Sequence, residues 1–334
     1  MQIFRGVHHT DHPGMAPACA LTIGNFDGVH RGHQAMLALL RSEAQHRGLP
    51  SCVMTFEPHP RDYFARKLGK PELAPARIAT LRDKLTELER CGIDQVVVLR
   101  FDEQLASQSA ESFIADTLVR GLGVRYVLVG DDFRFGAKRV GDYAMLDAAG
   151  AAQGFDVARM NSYEVHGLRV SSSAVRDALS AGDMAQTAAL LGRPYSISGH
   201  VIHGRKLGRS LGFRTLNIRF AHAKSAAMGI YAVRTHGLTP EPLDGVASLG
   251  VRPTVDDSGR ILLEVHCLQW PATLGLEGAY GKIARVELLH KLRDEARYDG
   301  LEALTAAIHQ DVQDASAYLA AHAATGRQIT RDRI

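Results

Sequence analysis

Between residues 18 and about 160, short apolar runs alternate with amphipathic stretches, and beyond Pro194 that alternation stops. The first region runs as follows. ACALTIG (18–24) has the composition of a buried strand, HQAMLALLRSEAQHRG that of a helix closed by Gly48, and SCVMTF (51–56) that of a second strand. IATLRDKLTELERCG (78–92) fits a helix with Ile78, Leu81, Leu85 and Leu88 on one face. QVVVLRF, ESFIADTLVRGLG, RYVLVG, DYAMLDAAGAAQG and FDVARM continue as strand, helix, strand, helix, strand. Strands separated by crossover helices imply a parallel sheet covered on both faces, and the Val-rich runs fit that burial. After SSSAVRDALSAGDMAQTAALLG (171–192) the pattern changes at LGRPYSIS, where Gly192 and Pro194 mark the expected linker. YSISGHVIHG, TLNIRF, GIYAVRTHG, DGVASLGV, ILLEVHCLQW and ARVELLHKL then follow with only turns between them. Such a succession predicts an antiparallel sheet or small barrel. An amphipathic helix from Leu301 to Ala321 and a polar tail, TGRQITRDRI, complete the chain. The expected boundaries are residues 1–184, 185–322 and a tail at 323–334.

Composition excludes several classes of function. The 39 basic residues exceed the 36 acidic ones by three, too little to argue for nucleic acid without a localised patch. No run approaches the ~18 apolar residues of a membrane span, and MQIFRGVHHTDHPG lacks the apolar core of a signal peptide. Cys19, Cys52, Cys91 and Cys267 have no metal-ligand spacing, which fits buried thiols in a reducing compartment. A cytoplasmic protein without membrane or nucleic-acid partners is expected. His8, His9 and His12 fall in the polar leader and are expected to face solvent. GxxxxGK[ST] and GxGxxG are both absent, so a parallel-sheet domain here must hold nucleotide by another device.

GNFDGVHRGH (24–33) supplies one. It follows a strand and opens a helix, where glycines admit a ligand to the backbone and free N–H groups attract anions. His30 and His33, three apart, share one face of a first helical turn and could clamp a polyphosphate. The competing reading is a strand-turn-helix with surface histidines, and for a lone HxxH it is the better one. The Gly24-Asn25-Phe26-Asp27 lead-in at the carboxyl end of a strand favours a ligand crevice. Asp27 fits equally a turn-forming carboxylate or a site neighbour.

GNFDGVHRGHQ resembles the HxGH-type nucleotidyltransferases, in their flavin-nucleotide branch. TFEPHP (55–60), GDDFRFG (130–136) and RVSSSAVR (169–176) resemble its further motifs, in order. The resemblance implies a Rossmann-like domain in which His30 and His33 stabilise the transition state of adenylyl transfer. By the same resemblance Arg169, Ser172, Ser173 and Arg176 hold phosphates, Asp132 and Phe133 seat a nucleotide, and Asp27 and His59 lie nearby. The residue types suit that chemistry. A phosphate monoester, with a second pKa near ~6, is already ionised at pH 7 and needs positive electrostatics rather than a base.

GHVIHGRKLGRSLGFRTLNIRF (199–220) spaces Gly204, Gly208 and Gly212 four apart. Three glycines cost roughly 1 kcal/mol each in a helix, so a loop wrapping phosphates, with Arg205, Lys206 and Arg209 beside it, accounts better for them. A basic hairpin that binds nothing is the alternative. The stretch resembles the riboflavin kinase domain of bacterial bifunctional riboflavin kinase/FAD synthetases, whose loop leads into Pro-Thr-Ala-Asn. Arg214-Thr215-Leu216-Asn217 occupies those positions here. The resemblance implies that Thr215 and Asn217 bind the Mg²⁺ of MgATP, no transition metal being expected. It further implies that Glu264 is the base for an alcohol acceptor, where a carboxylate helps. Glu264 also fits the solvent face of an alternating strand. VASLGVRPTV (246–255), EGAYGK (277–282) and LRDEARYDGL (292–301) resemble later landmarks, and Arg293 is expected to face the flavin. Trp270 could stack on flavin or pack a loop. The implied function is phosphorylation of riboflavin to FMN by the barrel and adenylylation of FMN to FAD by the first domain, with pyrophosphate released. ATP, riboflavin, FMN, FAD and pyrophosphate are the expected partners. The alternative is adenylylation alone, with a barrel that only binds flavin. The sequence leaves the oligomeric state open.

Overall fold

The computed structural model describes residues 1–7, 14–161, 163–165, 168–203, 213–220, 222–251, 261–275 and 277–329. They fall into two compact units, Met1–Pro75 with Lys84–Ser171 and Ala76–Asp83 with Ser172–Ile334.

The first unit holds a parallel sheet of β1 (Gln2–Arg5), β2 (Cys19–Ile23), β3 (Ser51–Glu57), β4 (Gln95–Arg100), β5 (Val124–Gly130) and β6 (Asp156–Met160). Their order is β1-β4-β3-β2-β5-β6. Alternate residues of each strand face opposite cores, which is why the strands are apolar on both sides. Leu21, Met54, Val97 and Val127 pack with Phe113, Ile114, Leu118 and Leu146. Ala20, Val53, Val96 and Leu128 pack with Leu37, Leu40 and Leu88. The chain grows from β2 towards β4 and then returns to add β5 on the other side of β2. The carboxyl ends of β2 and β5 therefore flank a topological switch point, the place where open α/β sheets bind ligands.

The polar-leader expectation needs correcting. Gln2–Arg5 forms the edge strand beside β4, with Phe4 and Val7 buried. Four short residues gave no period to read. His8, His9 and His12 lie outside the described residues. The expected helix 78–92 begins only at Leu81. The Thr80 hydroxyl accepts from the Asp83 N–H at 3.1 Å and donates to its carboxylate at 2.7 Å, an N-terminal stop signal. Ile78 lies upstream, at a bend within the second unit, where the Arg77 backbone bonds Lys224 and Ala226. The 111–123 helix is wound as a π-helix over Phe113–Gly121. A small hairpin, β7 (Glu164–Val165) with β8 (Leu168–Arg169), closes the unit.

The second unit opens with helices Ser172–Ala181 and Met184–Leu191, separated by Gly182 at φ 76° and capped by Asp183. Then come β9 (Tyr195–Ile202), β10 (Thr215–Arg219), β11 (Gly229–His236), β12 (Leu243–Val251), β13 (Ile261–Cys267) and β14 (Ile283–Arg293). They close as an antiparallel barrel in the order β10-β13-β12-β11-β14-β9. Leu216, Ile218, Tyr231, Val233, Leu249, Leu263 and Val265 are buried on the alternate positions that face inward. The last helix runs over Leu301–Ile329, beyond the expected end at Ala321. Ala315 and Leu319 pack on Ile230, Ala232 and Val246 of the outer barrel wall.

Candidate active sites

The loop after β2 is the most constrained segment of the first unit. The Gly24 N–H bonds the Met54 carbonyl at 3.0 Å, extending the pairing with β3. Phe26, Gly28 and Val29 then take positive φ values of 48°, 83° and 40°. A β-branched residue at positive φ is strained, and such strain persists only where the surroundings enforce it. Val29 and Phe26 are anchored in the core under the helix Arg31–His46.

His30 caps that helix. Its Nδ1 accepts from the His33 N–H at 3.3 Å, which assigns the ring proton to Nε2. The His30 and His33 rings stack at 3.6 Å between centroids, 16° from parallel, and Phe26 lies 4.9 Å from His33. Gly32 permits this arrangement, since a Cβ there would come within 3.2 Å of His30 Nδ1 and 3.3 Å of the Val170 carbonyl. Burial, then the neighbouring His30 and Lys84, hold the His33 imidazole well below its ordinary pKa, so it is neutral near pH 7. Asn25 Oδ1 and His33 Nδ1 are buried with no hydrogen-bond partner among the described residues. Polar atoms in that condition are costly unless a ligand completes them.

Several other candidates of the first unit lie at strand ends or helix caps. His59, after β3, repeats the device of His30: it caps the helix Pro60–Lys67 and its Nδ1 accepts from the Arg61 N–H at 3.1 Å. Asp27 is buried at 1% exposure, within the loop rather than at a solvent turn. Asp132 is exposed just past β5, and Phe133 is half-buried, its ring stacked on Phe135 at 5.5 Å. Arg169 lies 3.8 Å from Asp131, tying the β8 end to the β5 end. Ser172, Ser173 and Arg176 head the helix Ser172–Ala181 of the second unit, and Arg176 Nε donates to the Ala76 carbonyl at 2.7 Å.

Lys84 is not among the sequence candidates, and Thr55 enters them only as the first residue of TFEPHP. Lys84 is 1% exposed and donates to Thr55 Oγ1 at 3.1 Å, and Thr55 donates to the Asn25 carbonyl at 3.2 Å. The signal was present: Lys84 sits three residues after Leu81 and four before Leu88, on the apolar face of its helix.

In the barrel, strand register assembles the second site. Asn217 on β10 lies directly opposite Glu264 on β13, and Glu264 opposite Ser248 on β12. The row continues through Ile230 on β11 to Arg293 on β14. Glu264 is half-buried on this outer face, so its strand period is that of a wall residue, and its neighbours distinguish it from a solvated one. Asn217 is 3% exposed, and its Oδ1 has no hydrogen-bond partner among the described residues. Thr215, two residues earlier, shares its face. A hydroxyl and an unpartnered amide oxygen form a hard-oxygen donor pair that fits Mg²⁺. Arg293 is held by Asp311 of the last helix through two bonds of 2.7 and 2.6 Å. Gly204, Arg205, Lys206, Gly208 and Arg209 lie outside the described residues.

The two departures from Pro-Thr-Ala-Asn are accommodated. Leu216 points into the barrel at 2% exposure. The Arg214 guanidinium lies 4.9 Å over the Trp270 ring and bonds the Gly275 carbonyl at 3.3 Å. Trp270 bonds the same carbonyl at 2.8 Å, which makes it a loop-packing residue. The Arg214 carbonyl is bonded to His266 Nδ1 at 2.9 Å, so the residue before Thr215 is fixed at both its ends.

A family model described as FAD synthetase matches residues 13–174, and one described as riboflavin kinase matches residues 191–319. The chain is 45% identical over 311 residues to the bifunctional riboflavin kinase/FMN adenylyltransferase of Escherichia coli, covering 93% of this chain and 96% of that protein. It is 46% identical over 322 residues to the protein of the same description from Pseudomonas fluorescens, covering 96% and 98%. A crystal structure described as a macrolide-efflux protein from Streptococcus pneumoniae matches with a TM-score of 0.72 and 25% identity, covering 94% of this chain and 98% of that one. Among the described residues no helix is long and apolar enough to cross a membrane.

Proposed function

The chain belongs to the family of bifunctional riboflavin kinases/FMN adenylyltransferases, and from that membership we infer how its own residues divide the two reactions. It is a transferase with both activities: riboflavin is phosphorylated to FMN, and FMN is adenylylated to FAD.

Adenylyl transfer is assigned to residues 1–184. A phosphate oxygen of FMN, ionised at neutral pH, attacks the α-phosphorus of ATP and pyrophosphate leaves. No proton need be removed from the nucleophile. The requirement is donors fixed before charge develops, and His30 and His33 meet it: stacked, oriented by the cap hydrogen bond, and at the positive end of a helix. Asn25, on the backbone that Gly24 opens, offers its buried Oδ1 to the nucleotide. Arg169, Ser172, Ser173 and Arg176 bind phosphates. Phe26, Asp27, His59, Asp132 and Phe133 line the nucleotide.

Phosphorylation is assigned to residues 185–322, followed by the tail 323–334. Here the nucleophile is the ribityl 5′-hydroxyl, which gains from a base in reach. Glu264 accepts that proton as the hydroxyl oxygen attacks the γ-phosphorus and ADP leaves. Thr215 and Asn217 hold Mg²⁺, which when bound neutralises developing phosphate charge. Gly204, Arg205, Lys206, Gly208 and Arg209 wrap the phosphates, and Arg293 faces the flavin. ATP is the nucleotide at both sites. All four cysteines are free thiols, which supports a cytoplasmic setting.

The observation that carries this division is the placement of a stacked imidazole pair in one compact unit and of Glu264 opposite Asn217 in the other. Chromatography of the flavins formed from riboflavin and MgATP tests it, with FMN and then FAD expected. FAD formed only when FMN is supplied would overturn the assignment of the barrel.

A further inference from the structure

We propose that Lys84 is a positioning residue of adenylyl transfer, its buried ammonium setting the Asn25–Val29 loop through Thr55. The inference rests on the assignment of that reaction to His30 and His33.

The relay has only one possible direction. Lysine has donors alone and a carbonyl accepts alone, so the single proton of Thr55 Oγ1 points to Asn25 while its lone pair takes the Lys84 proton. Its two side chains are buried, Lys84 at 1% exposure and Thr55 at 0%, while Asn25 is half-buried. The loop it holds contains the strained Phe26 and Val29, so an outside constraint is required. Beyond the tether, the Lys84 charge adds to burial and His30 in holding the His33 imidazole below its ordinary pKa. Packing alone does not account for a lysine here. Leu88 on the same helix fills the core with an apolar side chain, and burying an ammonium instead carries a desolvation cost. Because it is sealed from solvent, Lys84 does not touch substrate. It works through the residues in front of it.

The test uses the full chain carrying Lys84→Met, Thr55→Val or His33→Ala, with both half-reactions measured on each sample. Lys84→Met is expected to lower kcat for FAD formation from FMN by ~10–1,000-fold, by analogy with removal of a preorganised electrostatic group. KM for ATP and FMN should move by less than ~3-fold, and riboflavin phosphorylation by less than ~2-fold, the signature of an interaction used in the transition state. Imidazole NMR adds a reading that a packing role would not shift. The titrating groups acting on His33 are His30 and Lys84, so its pKa should rise in Lys84→Met. Thr55→Val keeps the charge and cuts the relay, so kcat should fall while the His33 titration stays in place. FAD formation at the parent rate in Lys84→Met overturns the proposal, as does a loss shared equally by riboflavin phosphorylation. Where Lys84→Met does not fold, parent-rate FAD formation by Thr55→Val overturns it instead. If His33→Ala itself makes FAD at the parent rate, the site assignment falls first, and the two failures are thereby told apart.

Discussion

His33 and Glu264 carry opposite demands. An ionised phosphate acceptor asks for donors, and a hydroxyl acceptor asks for a carboxylate. Replacing His33 by Ala should cut FAD formation from FMN by ~10²–10³-fold, the usual cost of a lost transition-state donor, and leave riboflavin phosphorylation intact. Glu264→Gln should do the converse, lowering FMN formation by ~10²–10⁴-fold as for loss of a general base. Assaying the half-reactions separately on each variant checks both. His33 also makes the first unit sensitive to acid. Its imidazole is held neutral when folded, whereas the unfolded chain takes up the proton below pH ~6.5. The unfolded state then binds more protons, so stability is full above that pH and falls as pH drops, at up to about 1.4 kcal/mol per pH unit. Urea midpoints at pH 7.5 and 5.5 should show the fall, and His33→Gln should flatten it. At this scale the motif residues were readable because each sits at a strand end or helix cap with an unusual residue type. Lys84 was overlooked because a lysine in an apolar stripe is ordinarily an exception at the stripe's edge, and only tertiary packing reveals that this one is sealed in.

Among elements, the barrel row from Asn217 through Glu264 and Ser248 to Arg293 shows how antiparallel register builds a site from distant segments. The strands themselves could be identified from their apolar alternation, but which residue faces which depends on closure and on the bulges of β14, neither written in any one segment. The same limit hid β1, whose four residues acquire strand character only by pairing with β4. The last helix meets the row at Ile230, on which Ala315 and Leu319 pack, and at Arg293, which the Asp311 carboxylate fixes, with Tyr298 5.8 Å from the guanidinium. Asp311 is buried and Arg293 about a third exposed, so Asp311→Asn should cost ~1–3 kcal/mol, within the range for weakening a partly buried charge-assisted pair. It should raise KM for riboflavin while FMN-to-FAD conversion is unchanged. Steady-state kinetics with each flavin, together with hydrogen exchange of β11 and β14 amides, would read both effects.

For the whole molecule, the residues of the two reactions are read in complementary halves, so each half should be replaceable from outside. Chain carrying His33→Ala mixed with chain carrying Glu264→Gln should restore FAD formation from riboflavin, with FMN passing through solution between them. Neither variant alone should do so, and flavin chromatography of the mixture decides it. The domain pattern was visible in the sequence as helix-separated strands giving way to uninterrupted ones. The excursion of Ala76–Asp83 into the second unit was not, because Ile78 and Leu81 share the apolar period of the helix that follows and so read as part of it. There the Arg77 backbone bonds Lys224 and Ala226, the Ile78 carbonyl accepts from the Tyr195 hydroxyl at 2.9 Å, and Asp83 accepts from the Ser198 N–H at 3.3 Å. A kinase fragment cut from the carboxyl-terminal half would thus be born with an open seam, its missing lining encoded more than a hundred codons upstream. A short synthetic peptide of that sequence should dock into the vacancy and steady the fragment.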